Sequence, residues 1–170
     1  MGREARRVPK NWKHPTGEHG QYIPLLDYGK PFSQVVNEWD EGEAKWKEGF
    51  KDDYHGGWER FDKSECMTFA EWYGERPKKE DYMPEFRQDK MTHYQMYETC
   101  SEGTPISPVM ETPEDLAHWL ADNNASAFGS STATYQAWLC TIKAGFAPTF
   151  FICKNGELKS GVEACCKKGE

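Results

Sequence analysis

The stretch that most constrains the fold runs from Thr92 to Gly145, because it combines one alternating segment with two short amphipathic segments that carry helix start signals. Residues 92–99 alternate between two sides, which is typical of a strand whose faces are both at least partly covered. The two sides are Tyr94 with Met96, and His93 with Gln95 and Tyr97. Two short helices beside one strand cannot be stable alone, so they require a sheet to cover.

The first helix is predicted to begin at Thr112, whose hydroxyl can accept a hydrogen bond from a backbone N–H two or three residues later. Pro113 suits the first helical position, since its missing N–H would have no partner there. The apolar stripe follows at helical spacing and consists of Leu116, Trp119 and Leu120. The helix is expected to end near Asn123 or Asn124.

The second helix is predicted to begin around Thr132 and to stop at Gly145, a residue that suits the left-handed conformation beyond a helix end. Its apolar positions are Tyr135, Trp138, Leu139 and Ile142. This spacing again gives one buried stripe.

A hairpin is predicted after the second helix. Thr149–Cys153 is a compact apolar segment, and Leu158–Ala164 is the expected return strand. Asn155-Gly156 lies between them and favours a hairpin turn because both residues tolerate positive φ. The resulting order, β-α-α-β-β, predicts an α+β fold in which a small antiparallel or mixed sheet is covered by two helices.

The N-terminal half is predicted to be an aromatic-rich set of helices and loops wrapped on that sheet. A helix is expected over residues 32–50 with Ser33 as its cap, and a short helix over residues 68–74 with a capping box. An aromatic loop with glycines lies between them. The chain is therefore expected to be a single domain, residues 1–170. Its parts are an N-terminal arm and helical part (1–90), an α+β core (91–164) and a tail (165–170).

The core is predicted to consist largely of aromatic side chains. Hydrophobic residues make up only 37% of the chain, whereas aromatic residues reach 14% and include seven tryptophans. Aromatic rings bury enough area for such a chain to fold. The alternative use of these rings is to anchor a partner or to stack on bases.

The formal net charge of −7 argues against a general nucleic-acid binder, because such proteins depend on cationic contacts to phosphates. Residues 1–13 are the exception, since they carry five basic residues and one acidic residue. They are interpreted as a solvated or loosely packed terminus, or alternatively as an arm that grips an acidic partner. The candidate partner-binding residues are Arg3, Arg6, Arg7, Trp12 and Trp58.

A cytoplasmic location is expected. No apolar run approaches the roughly 20 residues of a membrane span, and the N-terminus lacks the apolar core of a signal peptide. Six cysteines without a secretory signal are typical of reduced thiols in a cytoplasm. No membrane association is predicted.

No motif in the sequence points to catalysis, a cofactor or a metal. CxxC, HExxH and GxSxG motifs are absent from the chain. A metal site assembled from distant residues such as His93, Cys100 and His118 stays open, as does a reactive pair of Cys100 with His93. Neighbouring carboxylates are interpreted as solvated faces or helix caps. An enzymatic role is left undecided and is not favoured.

The best local candidate for a ligand site is the loop Gly129-Ser130-Ser131-Thr132, which precedes the second helix. Its small residues would let an anion approach backbone N–H groups and hydroxyls. It lacks the lysine and the spacing of a P-loop. The competing interpretation is an ordinary capping turn.

Several blocks of the chain resemble a phage and prophage protein family. The shorter blocks are RRVPKNWKHP (6–15), the WDEG of residues 39–42, DYMPEF (81–86) and ELKSGVEA (157–164). The most specific block is HYQMYETCSEGTPISPVMETPEDLAHWLADNNASAFGSSTATYQAWL (93–139). The family has no established activity, so the resemblance implies an origin, a small cytoplasmic phage-encoded protein, and no functional residue. Such proteins often bind host machinery, including defence systems.

The leading hypothesis is a non-enzymatic phage accessory protein that binds and modulates a host or phage protein, in the manner of a counter-defence (anti-CRISPR-like) inhibitor. The alternative is a protein that binds or sequesters a nucleotide or another small anionic ligand at Gly129, Ser130, Ser131 and Thr132. An enzyme with a dispersed site is the third hypothesis.

Overall fold

A computed structural model describes residues 2–27, 29–61, 67–99, 103–152 and 158–165. The chain divides into two compact units. Unit 1 comprises Met1–Leu26 with Phe86–Glu170, and unit 2 comprises Asp27–Glu85. The segment 1–26 therefore packs with the C-terminal half of the chain.

Unit 1 is built on a four-stranded antiparallel sheet. Its strands are β1 (Arg3–Val8), β4 (His93–Glu98), β5 (Thr104–Pro105) and β6 (Phe146–Ala147), in the order β5-β4-β1-β6. Ala5 of β1 lies opposite Met96 of β4. The prediction of an α+β fold with a small antiparallel sheet is confirmed.

Two helices, α3 (Pro113–Asp122) and α4 (Tyr135–Ala144), pack on one face of this sheet. Their predicted stripes enter one buried cluster, which includes Met96, Leu116, Leu120, Trp138, Ile142 and Ala147. Thr112 caps α3 as predicted, since its hydroxyl accepts a hydrogen bond from Asp115 N–H at 3.0 Å.

Helix α4 begins later than Thr132. Thr134 is the N-cap, and its hydroxyl accepts a hydrogen bond from Ala137 N–H at 3.3 Å. Residues before it are held in a tight turn, because Ser131 N–H donates to Phe128 O at 2.9 Å. That turn delays the start of the helix.

The expectation that residues 1–13 form a loosely packed or solvated terminus is wrong for Arg3–Val8. Arg3–Val8 forms β1, which pairs with β4 on one side and β6 on the other. Arg3 is 1% exposed and Arg6 is 5% exposed. The basic composition suggested a surface, but the buried guanidinium groups find partners inside the unit.

The C-terminal hairpin is confirmed in part. Strand β7 (Phe150–Ile152) pairs antiparallel with β8 (Leu158–Ser160), and the predicted Asn155-Gly156 turn lies outside the described residues. The pair forms a separate two-stranded sheet. The predicted strand to Ala164 is wrong, because helix α5 (Gly161–Cys165) begins there and Ser160 Oγ accepts a hydrogen bond from Glu163 N–H at 3.2 Å. Of the predicted tail, Cys165 ends α5 and residues 166–170 fall outside the described residues.

Unit 2 contains helix α1 (Phe32–Glu48), the hairpin β2 (Phe50–Asp52) and β3 (Trp58–Arg60), and helix α2 (Phe69–Tyr73). Its core cluster is Trp39, Trp46 and Phe69. The predicted capping box of Thr68 and Glu71 is confirmed at the start of α2. The expected Ser33 cap is wrong, since Pro31 occupies the N-cap of α1 and the Phe32 N–H donates to Glu85 Oε1 at 3.0 Å.

No helix among the described residues combines the length and apolar character needed to cross a membrane.

The start of α4 can be tested with two neighbouring threonines. Thr134→Ala should destabilise unit 1 by about 1 kcal/mol, because it removes the side-chain cap of a helix that covers the sheet. Thr132→Ala should change the free energy of unfolding by less than about 0.5 kcal/mol, as expected of a surface substitution away from any cap. Urea unfolding of both variants measures the difference. Equal losses would contradict the assignment of Thr134 as the cap.

Candidate functional site

The face of the sheet opposite the helices carries a buried hydrogen-bond network around the Tyr97 hydroxyl. Tyr97 is 0% exposed. Trp12 Nε1 donates to the hydroxyl at 3.0 Å, and the hydroxyl donates to Gln95 Oε1 at 2.9 Å. His14 Nδ1 lies 3.3 Å from the same oxygen. Trp12 is therefore engaged within unit 1.

Arg6 closes this network from the other side. Its guanidinium carbon lies 4.3 Å from the centre of the Tyr97 ring, and its Nη1 donates to Leu25 O at 3.0 Å. Its Nε also donates to Glu4 Oε2 at 2.9 Å. The network therefore fastens residues 12–25 to the sheet, which is a structural role.

Burial controls the protonation of this network. Burial raises the pKa of Tyr97 to about 12. Burial also lowers the pKa of His14, and the positive charge of Arg6 lowers it further, against the opposing effect of its hydrogen bond to Ile23 O. A neutral phenol and a neutral imidazole are therefore the forms that this face favours.

A second feature lies on unit 2, where a pocket of about 200 Å³ opens between α1, the β2–β3 hairpin and α2. We call it the aromatic pocket. Its aromatic lining consists of Trp46, Tyr54, Trp58, Phe69, Trp72 and Tyr73. Of the residues predicted to bind a partner, Trp58 lies here.

The aromatic pocket has a buried base and an exposed rim. Trp46 and Phe69 are buried, and a Cβ built at Gly42 would lie 2.5 Å from the Phe69 ring, so the glycine lets this ring approach α1 closely. The rim is far more exposed: Tyr54 is 78% exposed, Tyr73 59%, Trp72 41% and Trp58 39%. Large aromatic residues that stay in water around a pocket are typical of a recognition surface.

The tip of the β2–β3 hairpin is held in a defined conformation. Tyr54 has φ 60, an uncommon backbone state for a bulky residue. Asp52 Oδ1 accepts a hydrogen bond from Tyr54 N–H at 2.6 Å, and Asp53 Oδ1 accepts bonds from His55 and Gly57 N–H, each at 2.8 Å. These two N–H donors hold the pKa of Asp53 below its usual value. Strain maintained by such contacts clusters at functional surfaces.

Three carboxylates and one ammonium also line the aromatic pocket: Glu38, Glu41, Asp52 and Lys51. Glu38 forms an ion pair with Lys30, which lowers the pKa of Glu38. Lys51 Nζ lies 3.2 Å from Glu59 Oε1 and 5.8 Å from the centre of the Trp72 ring. Among the described residues, the lining is therefore acidic overall.

The other predicted partner-binding residues lie in unit 1. Arg3 and Arg6 are buried there, whereas Arg7 is exposed and its guanidinium carbon lies 5.9 Å from the centre of the Tyr94 ring. Arg3 Nε donates to Ser126 O at 2.8 Å. Of Arg3, Arg6 and Arg7, Arg7 alone is exposed. It belongs to unit 1, whereas Trp58 belongs to unit 2.

The predicted ligand loop forms a tight turn. Gly129 has φ 55, and its carbonyl accepts a hydrogen bond from Ser126 Oγ at 2.6 Å. Ser130, Ser131 and Thr132 are exposed. Because Thr134 caps α4, the loop is one turn removed from the helix end that would attract an anion. Anion binding at this loop stays a prediction.

The residues considered for a metal are brought together only in part. His93 and His118 line one open groove of unit 1, of about 570 Å³, while Cys100 lies outside the described residues. Over the described part of the chain, no group of three or more His, Cys, Asp or Glu side chains has a metal-binding arrangement.

Sequence reasoning identified Trp58 but missed the rest of the aromatic pocket. The aromatic loop predicted between the two helices of the N-terminal half contains a hairpin, for which Gly56-Gly57 between extended runs is a signal. Recognising that hairpin would have placed Trp58 on a strand. No family model matches the chain, and neither a curated protein nor a solved structure matches it significantly.

The pKa of His14 predicts a loss of stability in acid. The folded chain holds this pKa below the unfolded value near 6.5, so the unfolded chain binds more protons below that pH. The stabilising contribution is present above about pH 6.5 and falls as the pH drops through the folded pKa. His14→Asn should flatten the dependence between about pH 7 and 5, whereas the exposed His19→Asn should not. Urea unfolding across this range measures it, and equal slopes would contradict it.

Tyr97→Phe tests the centre of the network. It should cost about 1–3 kcal/mol at neutral pH, because Trp12 Nε1 and Gln95 Oε1 lose their buried partner. The raised pKa of Tyr97 also predicts a pH dependence. Because the unfolded chain releases the phenol proton at lower pH than the folded chain, the wild type loses stability as the pH rises from about 10 towards about 12, and the variant lacks this loss. Tyr135→Phe is the control, since its hydroxyl makes no hydrogen bond to the described residues. Thermal unfolding at two pH values measures both effects.

Proposed function

We propose that this chain is a phage-encoded accessory protein that binds and modulates a host or phage protein in the bacterial cytoplasm, and that it contacts this partner through the aromatic pocket of unit 2. The observation that carries the proposal is the exposed aromatic rim of that pocket, led by Tyr54 and Tyr73. Trp and Tyr dominate the binding energy of protein interfaces, where they cluster around a pocket that excludes water.

The rigidity of the rim supports this function. Asp52 and Asp53 hold the hairpin tip through three backbone N–H groups, and α2 carries Trp72 and Tyr73 from a capped start. A surface ordered before binding loses little conformational entropy in the complex. The chain therefore presents a recognition surface that needs little rearrangement.

The charge of the chain indicates the kind of partner. A net charge of −7 and an acidic pocket favour association with a basic surface and speed the encounter. Occupying a functional basic surface of a host protein is enough to block it and requires no catalytic group. A counter-defence inhibitor is the form of modulation that the resemblance to phage proteins favours.

Site-specific photo-crosslinking tests the proposal in infected bacteria. A photoreactive phenylalanine analogue at Tyr54 should give one discrete adduct, while the same analogue at Tyr22 of unit 1, itself 48% exposed, should give none. Trp72→Ala should weaken the complex by about 2 kcal/mol or more, as for an interface hot spot. Circular dichroism of this variant checks that it folds.

The adduct supports the proposal only when it forms again with the purified partner and decreases with Trp72→Ala. Equal labelling from Tyr54 and Tyr22, or an adduct from Tyr54 that a folded Trp72→Ala variant leaves unchanged, would show that the aromatic pocket is not the contact surface. No discrete adduct from Tyr54 would have the same meaning.

A further inference from the structure

The charges that line the aromatic pocket are not balanced. Glu38 is paired with Lys30, and Lys51 is paired with Glu59. Glu41 and Asp52 have no cationic side chain within ion-pair distance among the residues that the structure describes. Two carboxylates thus line the same small space as six aromatic rings, and among the described residues neither forms an ion pair.

One ring of the aromatic pocket already lies near a cation of the chain itself. Lys51 Nζ lies 5.8 Å from the centre of the Trp72 ring, and outside the pocket, on the same hairpin, the Arg60 guanidinium carbon lies 5.3 Å from the centre of the Phe50 ring. An aromatic face attracts a cation through its negative quadrupole, and Trp does so most strongly. Carboxylates beside such rings add a hydrogen-bonding counter-charge.

The size of the pocket limits its occupant. About 200 Å³ is below the roughly 300–1,000 Å³ of sites that enclose small-molecule ligands. It suits a single long side chain that enters from a partner surface. A planar guanidinium fits better than an ammonium, because it stacks on a ring and can bond a carboxylate through two N–H groups at once.

We propose that the aromatic pocket is a receptor for one arginine side chain of the partner protein, held by stacking on Trp72 or Trp58 and by ion pairing with Glu41 and Asp52. This assignment rests on the proposed function and adds the chemistry of the recognised group. Lys51 is the resident cation of the pocket, and the arginine displaces its ammonium from the face of Trp72.

Peptide titrations followed by NMR of the tryptophan indole N–H signals test this assignment on the full chain. The probes are acetyl-Gly-Arg-Gly amide, its lysine analogue and its citrulline analogue, which keeps the shape of arginine without the charge. The arginine probe should shift the Trp58 and Trp72 signals saturably at millimolar concentration. The lysine probe should bind more weakly, and the citrulline probe should produce no saturable shift.

Matched substitutions separate the contributing groups. Glu41→Gln should weaken the arginine probe about twofold to fivefold, as for a partly exposed ion pair. Glu80→Gln removes the same charge from unit 2 outside the aromatic pocket and should have little effect. Lys51→Gln should tighten binding, because it removes the competing ammonium. Trp72→Ala should weaken binding about twofold to fivefold.

The possible outcomes are distinct from those of the crosslinking experiment. Equal binding of the arginine and citrulline probes would overturn the arginine receptor while leaving an aromatic contact surface intact. Absence of any saturable shift on unit 2, or equal losses for Glu41→Gln and Glu80→Gln, would also overturn it. Failure to obtain the crosslinked adduct from Tyr54 would instead contradict the proposed function, whatever the outcome of the peptide titrations.

Discussion

Two buried guanidinium groups hold unit 1 together. An arginine side chain stays charged in proteins, so burial obliges it to find several acceptors. Arg3 does so on the helix side of the sheet, where its Nε donates to Ser126 O and its Nη1 lies 3.8 Å from Glu98 Oε2. Arg6 does so on the other side, through Leu25 O and the face of Tyr97. The strand β1 thereby ties both coverings of the sheet to one another.

How far the sequence predicted this arrangement depended on whether local signals were available. The stripes of α3 and α4, the Thr112 cap and the Thr68 capping box follow from spacing and local hydrogen bonds, and the structure confirms them. The central place of residues 3–8 in the sheet does not follow from local signals. A basic strand can be central only when distant residues supply acceptors for its side chains. The acceptor of the Arg3 side chain at Ser126 is 123 residues away.

The candidate site shows the same division. Trp58 was singled out from the sequence, but the aromatic pocket needs rings from α1, the β2–β3 hairpin and α2, which only the fold of unit 2 brings together. Aromatic residues there have two roles that composition cannot separate. Trp39, Trp46 and Phe69 are buried as core, while Tyr54, Trp58, Trp72 and Tyr73 stay exposed. The number of aromatic rings in the sequence does not show which of them form the core and which form the exposed rim. The burial of each ring in the structure does.

The central position of β1 has a consequence for the synthesis of the chain. Its residues leave the ribosome before those of both its neighbours in the sheet, β4, about ninety residues later, and β6, which ends at Ala147. The sheet therefore cannot close until β6 has been made, so unit 1 assembles only after all of unit 2 has been synthesised. Unit 2, which is continuous in sequence from Asp27 to Glu85, has no such delay. A nascent chain would expose the aromatic pocket before the larger unit exists.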